Sequence, residues 1–143
     1  MIEMELITVG MAPKGDGNVL ILREVEGERL LILGIGFAEA SSIAMAAESI
    51  QSPRPMTHDL MLNLISRLGA SLIRVVIHDM RGDTFIGQLD VDTENGILEI
   101  DARPSDCIAL AIREECPIFV SDVVLELAAV TQDMMGEDDD LFD

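Results

Sequence analysis

A shift of 65 residues lays one half of this chain on the other, and that self-match constrains the fold more than any other feature. Residues 4–11 alternate in the manner of a strand, with Glu5, Ile7, Val9 and Met11 set against Leu6, Thr8 and Gly10. Residues 18–24 and 30–34 read as two more strands, joined by a hairpin around Glu26-Gly27. Residues 37–51 then take helical spacing, with Ala40, Ile43, Ala47 and Ile50 on one face. The same order returns downstream. Strands are expected over 71–80, 84–91 and 97–101, with turns at Arg81-Gly82-Asp83 and Asn95-Gly96, and a helix over 104–115. Under the shift Ile43-Ala44-Met45-Ala46 falls on Ile108-Ala109-Leu110-Ala111.

The expected fold is therefore α+β. Two βββα units, each a three-stranded meander plus a helix, form a mixed or antiparallel sheet packed on helices. A helix over 56–68 is inserted between them. Thr57 is its expected N-cap and Gly69 its stop, and Leu60, Met61, Leu64, Ile65 and Leu68 form its apolar face. A short strand at 117–120 and a helix at 122–130 capped by Ser121 complete a domain over 1–130. Residues 131–143 read as an acidic, disordered tail.

The two units differ where it matters chemically. Asp101 falls on Gly36, Arg103 on Ala38, Pro104 on Glu39 and Asp106 on Ser41, so the second unit carries polar groups that the shared scaffold does not require. Pro104 suits a first helical position and Asp106 complements the helix dipole. Capping accounts less well for Asp101 and Arg103. A local echo strengthens the point: Arg54-Pro55 and Arg103-Pro104 each stand just before a helix, with Asp59 and Asp106 close behind. Arg54 and Arg103 are the candidate phosphate ligands, since a guanidinium beside a helix N-terminus grips an anion well. The structural alternative is that each Arg pairs with its Asp and fixes a turn.

Composition narrows the function. The net charge is −18, with eight Arg and the single Lys14, and the chain without residues 133–143 still carries −12. That field repels nucleic acid at long range. With no Trp or Tyr, a base-stacking platform is not expected. No apolar run approaches the ~20 residues of a membrane span, and the acidic N-terminus lacks a signal-peptide start, so a cytoplasmic protein with no membrane partner is expected. Cys107 and Cys116 read as reduced thiols. Walker, dinucleotide, HExxH and paired CxxC motifs do not occur. Ser105 with His58 or His78 would be the serine option, without a nucleophile elbow to support it. The chain offers carboxylates instead. Asp59, Asp101 and Asp106 are the candidate ligands for Mg²⁺ or Mn²⁺, with Asp101, Asp106 and His58 as catalytic groups. His78 is expected on a half-exposed strand face.

Three stretches then form a pattern: Ser52-Pro53-Arg54-Pro55-Met56-Thr57-His58-Asp59-Leu60, Val75-Val76-Ile77-His78-Asp79, and Ile100-Asp101-Ala102-Arg103-Pro104-Ser105-Asp106-Cys107-Ile108-Ala109-Leu110-Ala111. Over about residues 4–130 the chain resembles the bifunctional nuclease domain family, with Cys107 standing where Ala is more usual. The resemblance implies an α+β fold, DNase and RNase activity of the kind described for plant members, and self-association into a homo-oligomer. It brings no settled catalytic set. Two rival expectations stand beside the nuclease: a non-catalytic oligomeric regulatory or assembly module, and a protein that binds a small phosphate ligand without turnover.

Overall fold

The computed structural model describes residues 1–12, 15 and 17–135. Its elements are β1 (Ile2–Met11), β2 (Asn18–Glu24), β3 (Leu30–Ile35), α1 (Phe37–Ala47), α2 (Thr57–Arg67), β4 (Ser71–Arg81), β5 (Thr84–Thr93), β6 (Gly96–Ala102), α3 (Pro104–Glu114), β7 (Ile118–Val120) and α4 (Asp122–Ala128). A short 3-10 turn over Gln132–Met135 follows. Most of the expected acidic tail, 136–143, lies outside the described residues.

The seven strands form one sheet in the order β3-β2-β1-β7-β4-β5-β6. Each meander is antiparallel, and β7 joins them, antiparallel to β1 and parallel to β4. Parallel pairing needs a long crossover, which β5, β6 and α3 together supply. The α+β architecture of two βββα units with an inserted helix is thus the observed one.

Three local expectations are corrected. α1 ends at Ala47 rather than at 51, and the chain then turns through Ser49 at φ +56. The N-cap of α2 is Met56, not Thr57, because the Asp59 carboxylate reaches back to accept the Met56 N–H at 2.9 Å. On α2 it is Met61, Leu62 and Ile65 that pack on the core, whereas Leu60, Leu64 and Leu68 face outward. Gly69 does end α2, at φ +79, a region closed to most side chains.

The register of the repeat also needs adjusting. α1 begins at Phe37 and α3 at Pro104, a spacing of 67 residues rather than 65. Asp106 therefore corresponds to Glu39, not Ser41, and Arg103 to Gly36. Both helices carry an acid at the third position of the first turn, where the dipole favours one. Asp106 is thus partly scaffold, and Arg103 is the true addition.

α3 is the centre of the molecule. Ser105 and the run Cys107–Ala111 are buried, among meander residues such as Leu22, Leu33, Val75, Ile77 and Leu89. α1 and α2 both pack against it. Gly87 on β5 lets α3 sit this close, since a Cβ there would lie 2.8 Å from both the Ala102 carbonyl oxygen and the Cys107 Sγ. The sheet curls round this helix. β3 and β5 are five strand positions apart, about 24 Å on a flat sheet. Yet Gly34 and Ile35 share a cavity of about 440 Å³ with Thr84, Phe85 and the Arg103–Ser105 segment.

Candidate functional site

Seven side chains from three helices form one continuous polar network beside the start of α3. Arg103, the N-cap of α3, donates to Asp106 from Nε (2.9 Å to Oδ2) and Nη2 (3.3 Å to Oδ1). Its Nη1 donates to Glu39 Oε1 on α1 at 3.2 Å. Asp106 Oδ1 also lies 2.8 Å from His58 Nε2. His58, in the first turn of α2, places Nδ1 2.7 Å from Ser42 Oγ on α1. Ser42 receives Arg113 from the last turn of α3, Nη2 reaching its Oγ at 3.1 Å and its carbonyl at 3.2 Å. Arg113 closes the chain, giving Nε to Asp59 Oδ1 at 3.0 Å and Nη1 to the Ala109 carbonyl at 3.0 Å.

Burial sets how each group behaves. Among the described residues, His58 is one of three buried polar or charged residues, at 8% exposure, with Ser105 and Asp90. Asp90 belongs to a separate pair with Arg74 at 2.6 Å. The Arg113 side chain is 11% exposed, whereas that of Arg103 is 65% exposed and offers charge to solvent. Burial opposes ionisation of Asp106, but the hydrogen bonds from Arg103 and His58 outweigh it and hold the carboxyl below its ordinary value. The Met56 N–H, aided by Arg113, outweighs burial and does the same for Asp59. Both carboxylates are thus ionised at neutral pH. The thiols are the reverse case: burial pushes Cys107 up to about 12 and Cys116 to about 11, which leaves them unreactive.

Of the residues expected from sequence, His58, Asp59, Arg103 and Asp106 come together here. Asp101 does not join them; it lies exposed on β6, in register with Gln88. Arg54 is exposed in the loop before α2, and Asp59 pairs with Arg113 in its place. His78 is exposed at a β-bulge of β4, consistent with a surface strand residue. Ser105 is packed in the core, and the hydroxyl that meets a histidine is that of Ser42. Glu39, Ser42 and Arg113 went unnoticed in the sequence. Glu39 becomes visible once the repeat is set at 67 residues, and Arg113 is the lone base of an apolar helix.

A Mg²⁺ or Mn²⁺ ion needs oxygen lone pairs. Here Asp59 spends one oxygen on Arg113 and the other on Met56 N–H, and Asp106 spends both on Arg103 and His58. Among the described residues no three His, Cys, Asp or Glu side chains are grouped to hold a metal. As arranged, these acids accept hydrogen bonds from cations of the protein itself.

Comparison with known proteins places this geometry in a family. An uncharacterized protein of Mycobacterium tuberculosis is 38% identical over 128 residues, covering 90% of this chain and 76% of that protein. Bifunctional nuclease 1 of rice (Oryza sativa subsp. japonica) is 28% identical over 108 residues, 73% of this chain but 33% of the rice protein. A bifunctional nuclease of Oryza minuta matches to the same extent. The sequence model of the bifunctional nuclease domain matches residues 20–133, which leaves out β1 and the start of β2 but takes in all four helices and every member of the polar network, and so the chain belongs to the bifunctional nuclease domain family.

Proposed function

We propose that this chain hydrolyses phosphodiester bonds of DNA or RNA where α1, α2 and α3 meet, with Arg103 receiving the phosphate and His58 moving the proton. The observation that carries this is the setting of His58. Asp106 is ionised and only accepts, so it holds a ring hydrogen on Nε2, and in the neutral ring the lone pair is on Nδ1. An imidazole held in that tautomer is a general base. Arg103 stands next to it with an exposed head whose contact to Glu39 is long enough to yield to a phosphate. The guanidinium then steadies the charge that grows on phosphorus-bound oxygen as the bond breaks. The names of the rice relatives support the substrate class.

The test is cleavage of single- and double-stranded DNA and RNA by purified protein, in EDTA and with Mg²⁺ or Mn²⁺. Wild type cuts in EDTA, and His58→Ala and Arg103→Ala each lose about 10²- to 10⁴-fold while keeping the native circular dichroism spectrum. Cleavage that needs the metal and is lost in Asp101→Asn would move the reaction onto the carboxylates. His58→Ala cutting as wild type would end the proposal.

A second reading is favoured by one observation: every carboxylate of the network already faces a cation or a ring N–H. On that reading the network only locks three helices of an assembly module. Wild type is then inert on all four substrates, and His58→Ala lowers the melting temperature without changing any activity. Self-association fits either reading, because β6 ends the sheet with Ile97, Leu98 and Ile100 exposed.

A further inference from the structure

We propose that Ser42 is the nucleophile of this site and that cleavage runs through a covalent phosphoseryl intermediate; this deepens the phosphodiesterase reading and rests on it for the substrate class. Arg113 Nη2 can only donate, so its 3.1 Å contact occupies a lone pair of Ser42 Oγ. Asp106 can only accept, so the His58 hydrogen sits on Nε2. In the neutral ring that hydrogen leaves Nδ1 bare, and the 2.7 Å contact is then the Ser42 hydroxyl donating to His58 Nδ1.

A hydroxyl aimed at a base whose tautomer is fixed by a carboxylate is the arrangement of an activated serine, here with the two ring nitrogens exchanged. A helical Ser ordinarily returns its hydroxyl to a carbonyl of the preceding turn; this one is committed to a residue 16 positions on. Arg113 beside Oγ also favours the alkoxide. Asp59 and Arg113, next in the network, line a cavity of about 780 Å³ bounded by residues of α1, α2 and α3.

In the first step Ser42 Oγ bonds to phosphorus and its proton passes to His58 Nδ1. The bond from phosphorus to the leaving oxygen breaks, and that oxygen takes the proton from Nδ1. In the second step water bonds to phosphorus and gives a proton to Nδ1. The Ser42–phosphorus bond breaks and Oγ recovers the proton. Diester and water become monoester and alcohol, with no other reactant.

The experiment uses the full chain and an alkyl fluorophosphonate, which loses fluoride when an activated serine attacks its phosphorus. Peptide mass spectrometry then locates the adduct. The expected result is phosphonylation of Ser42 and not of the neighbouring Ser41, with labelling slowed on the order of 10²- to 10⁴-fold in His58→Ala. On a chiral phosphorothioate diester, two displacements give retention at phosphorus. No adduct, or equal labelling of Ser41 and Ser42, overturns the proposal. So does inversion with Ser42→Ala cutting as wild type; if His58→Ala is then inactive, the phosphodiesterase reading stands without a serine nucleophile. Labelling of Ser42 by a protein that cuts no nucleic acid keeps the nucleophile and removes the phosphodiesterase reading.

Discussion

Arg113 does the most at the scale of single residues. Its three nitrogens reach Asp59 on α2, Ser42 on α1 and the Ala109 carbonyl of its own helix. Removing it leaves Asp59 with only the Met56 N–H and Ser42 with only His58 as partners. Arg113→Ala is expected to cost about 1–3 kcal/mol in urea unfolding, and Arg113→Lys to recover little of it, since a point charge cannot serve three directions. Asp106 makes a prediction in pH. Its folded carboxyl value lies below the ordinary 3.8, so the stability it contributes is complete above 3.8 and is lost as pH falls through the lower folded value. Acid titration followed by circular dichroism is therefore expected to show a shallower loss of stability over that window in Asp106→Asn than in wild type.

Among the elements, α3 decides the site because it carries Arg103 and Asp106 at one end and Arg113 at the other. Its depth depends on Gly87. A methyl there meets the Ala102 carbonyl oxygen and Cys107 Sγ at 2.8 Å, and the backbone oxygen has little room to yield. Gly87→Ala is expected to destabilise by about 1–3 kcal/mol and to lower any cleavage activity as well, by displacing Arg103; a thermal melt and a cleavage assay on the same preparation check both. Leu110→Ala, fully buried on the same helix, is expected to cost about 2–5 kcal/mol while leaving the network's contacts in place. The pair separates loss of packing from loss of placement.

At the scale of the whole molecule, the two edges of the sheet differ. β3 is partly covered, since Leu30 bridges to Val130. β6 is an edge with six of its seven residues exposed, and Leu98 and Ile100 lie in register with the buried Val91 and Leu89 of β5. They extend the core face past the helices. Such an edge templates strand pairing, and Glu99 and Asp101 restrain it without closing it. Sedimentation velocity is expected to show a species of at least twice the 15.6 kDa chain mass. Leu98→Lys is expected to shift it toward the monomer. A wild-type chain sedimenting as a monomer across the micromolar range would remove β6 as a subunit edge. No helix of the described residues is long and apolar enough to cross a membrane.

The order of strands and helices was legible because each element is dictated locally. Alternation marks β1 and β4, Asn95-Gly96 turns β5 into β6, and Gly69 stops α2. Pro104 and the apolar run behind it announce α3. Four of the seven network residues were legible too, since His58, Asp59, Arg103 and Asp106 stand at helix starts where polar residues are conspicuous. Packing decided the rest. A two-residue slip in the repeat hid the match between Glu39 and Asp106, because apolar periodicity tolerates small shifts. Of the apolar stripe expected on α2, Met61 and Ile65 do pack on the core while Leu60, Leu64 and Leu68 face outward, because leucines at helical spacing mark a face without saying what covers it. Asp101 and Arg54 looked like partners by spacing, but Asp101 lies exposed on β6 beside Gln88 and Arg54 is exposed in the loop before α2, where Arg113 takes the pairing with Asp59. Sequence by itself determined which segments become strands and helices, since turns, caps and periodicity act between near neighbours. Only the tertiary structure decided that Ser42, His58 and Asp106 touch, because 16 residues separate the first pair and 48 the second. No local rule specifies contacts across such distances; the burial of α3 between α1, α2 and the sheet does.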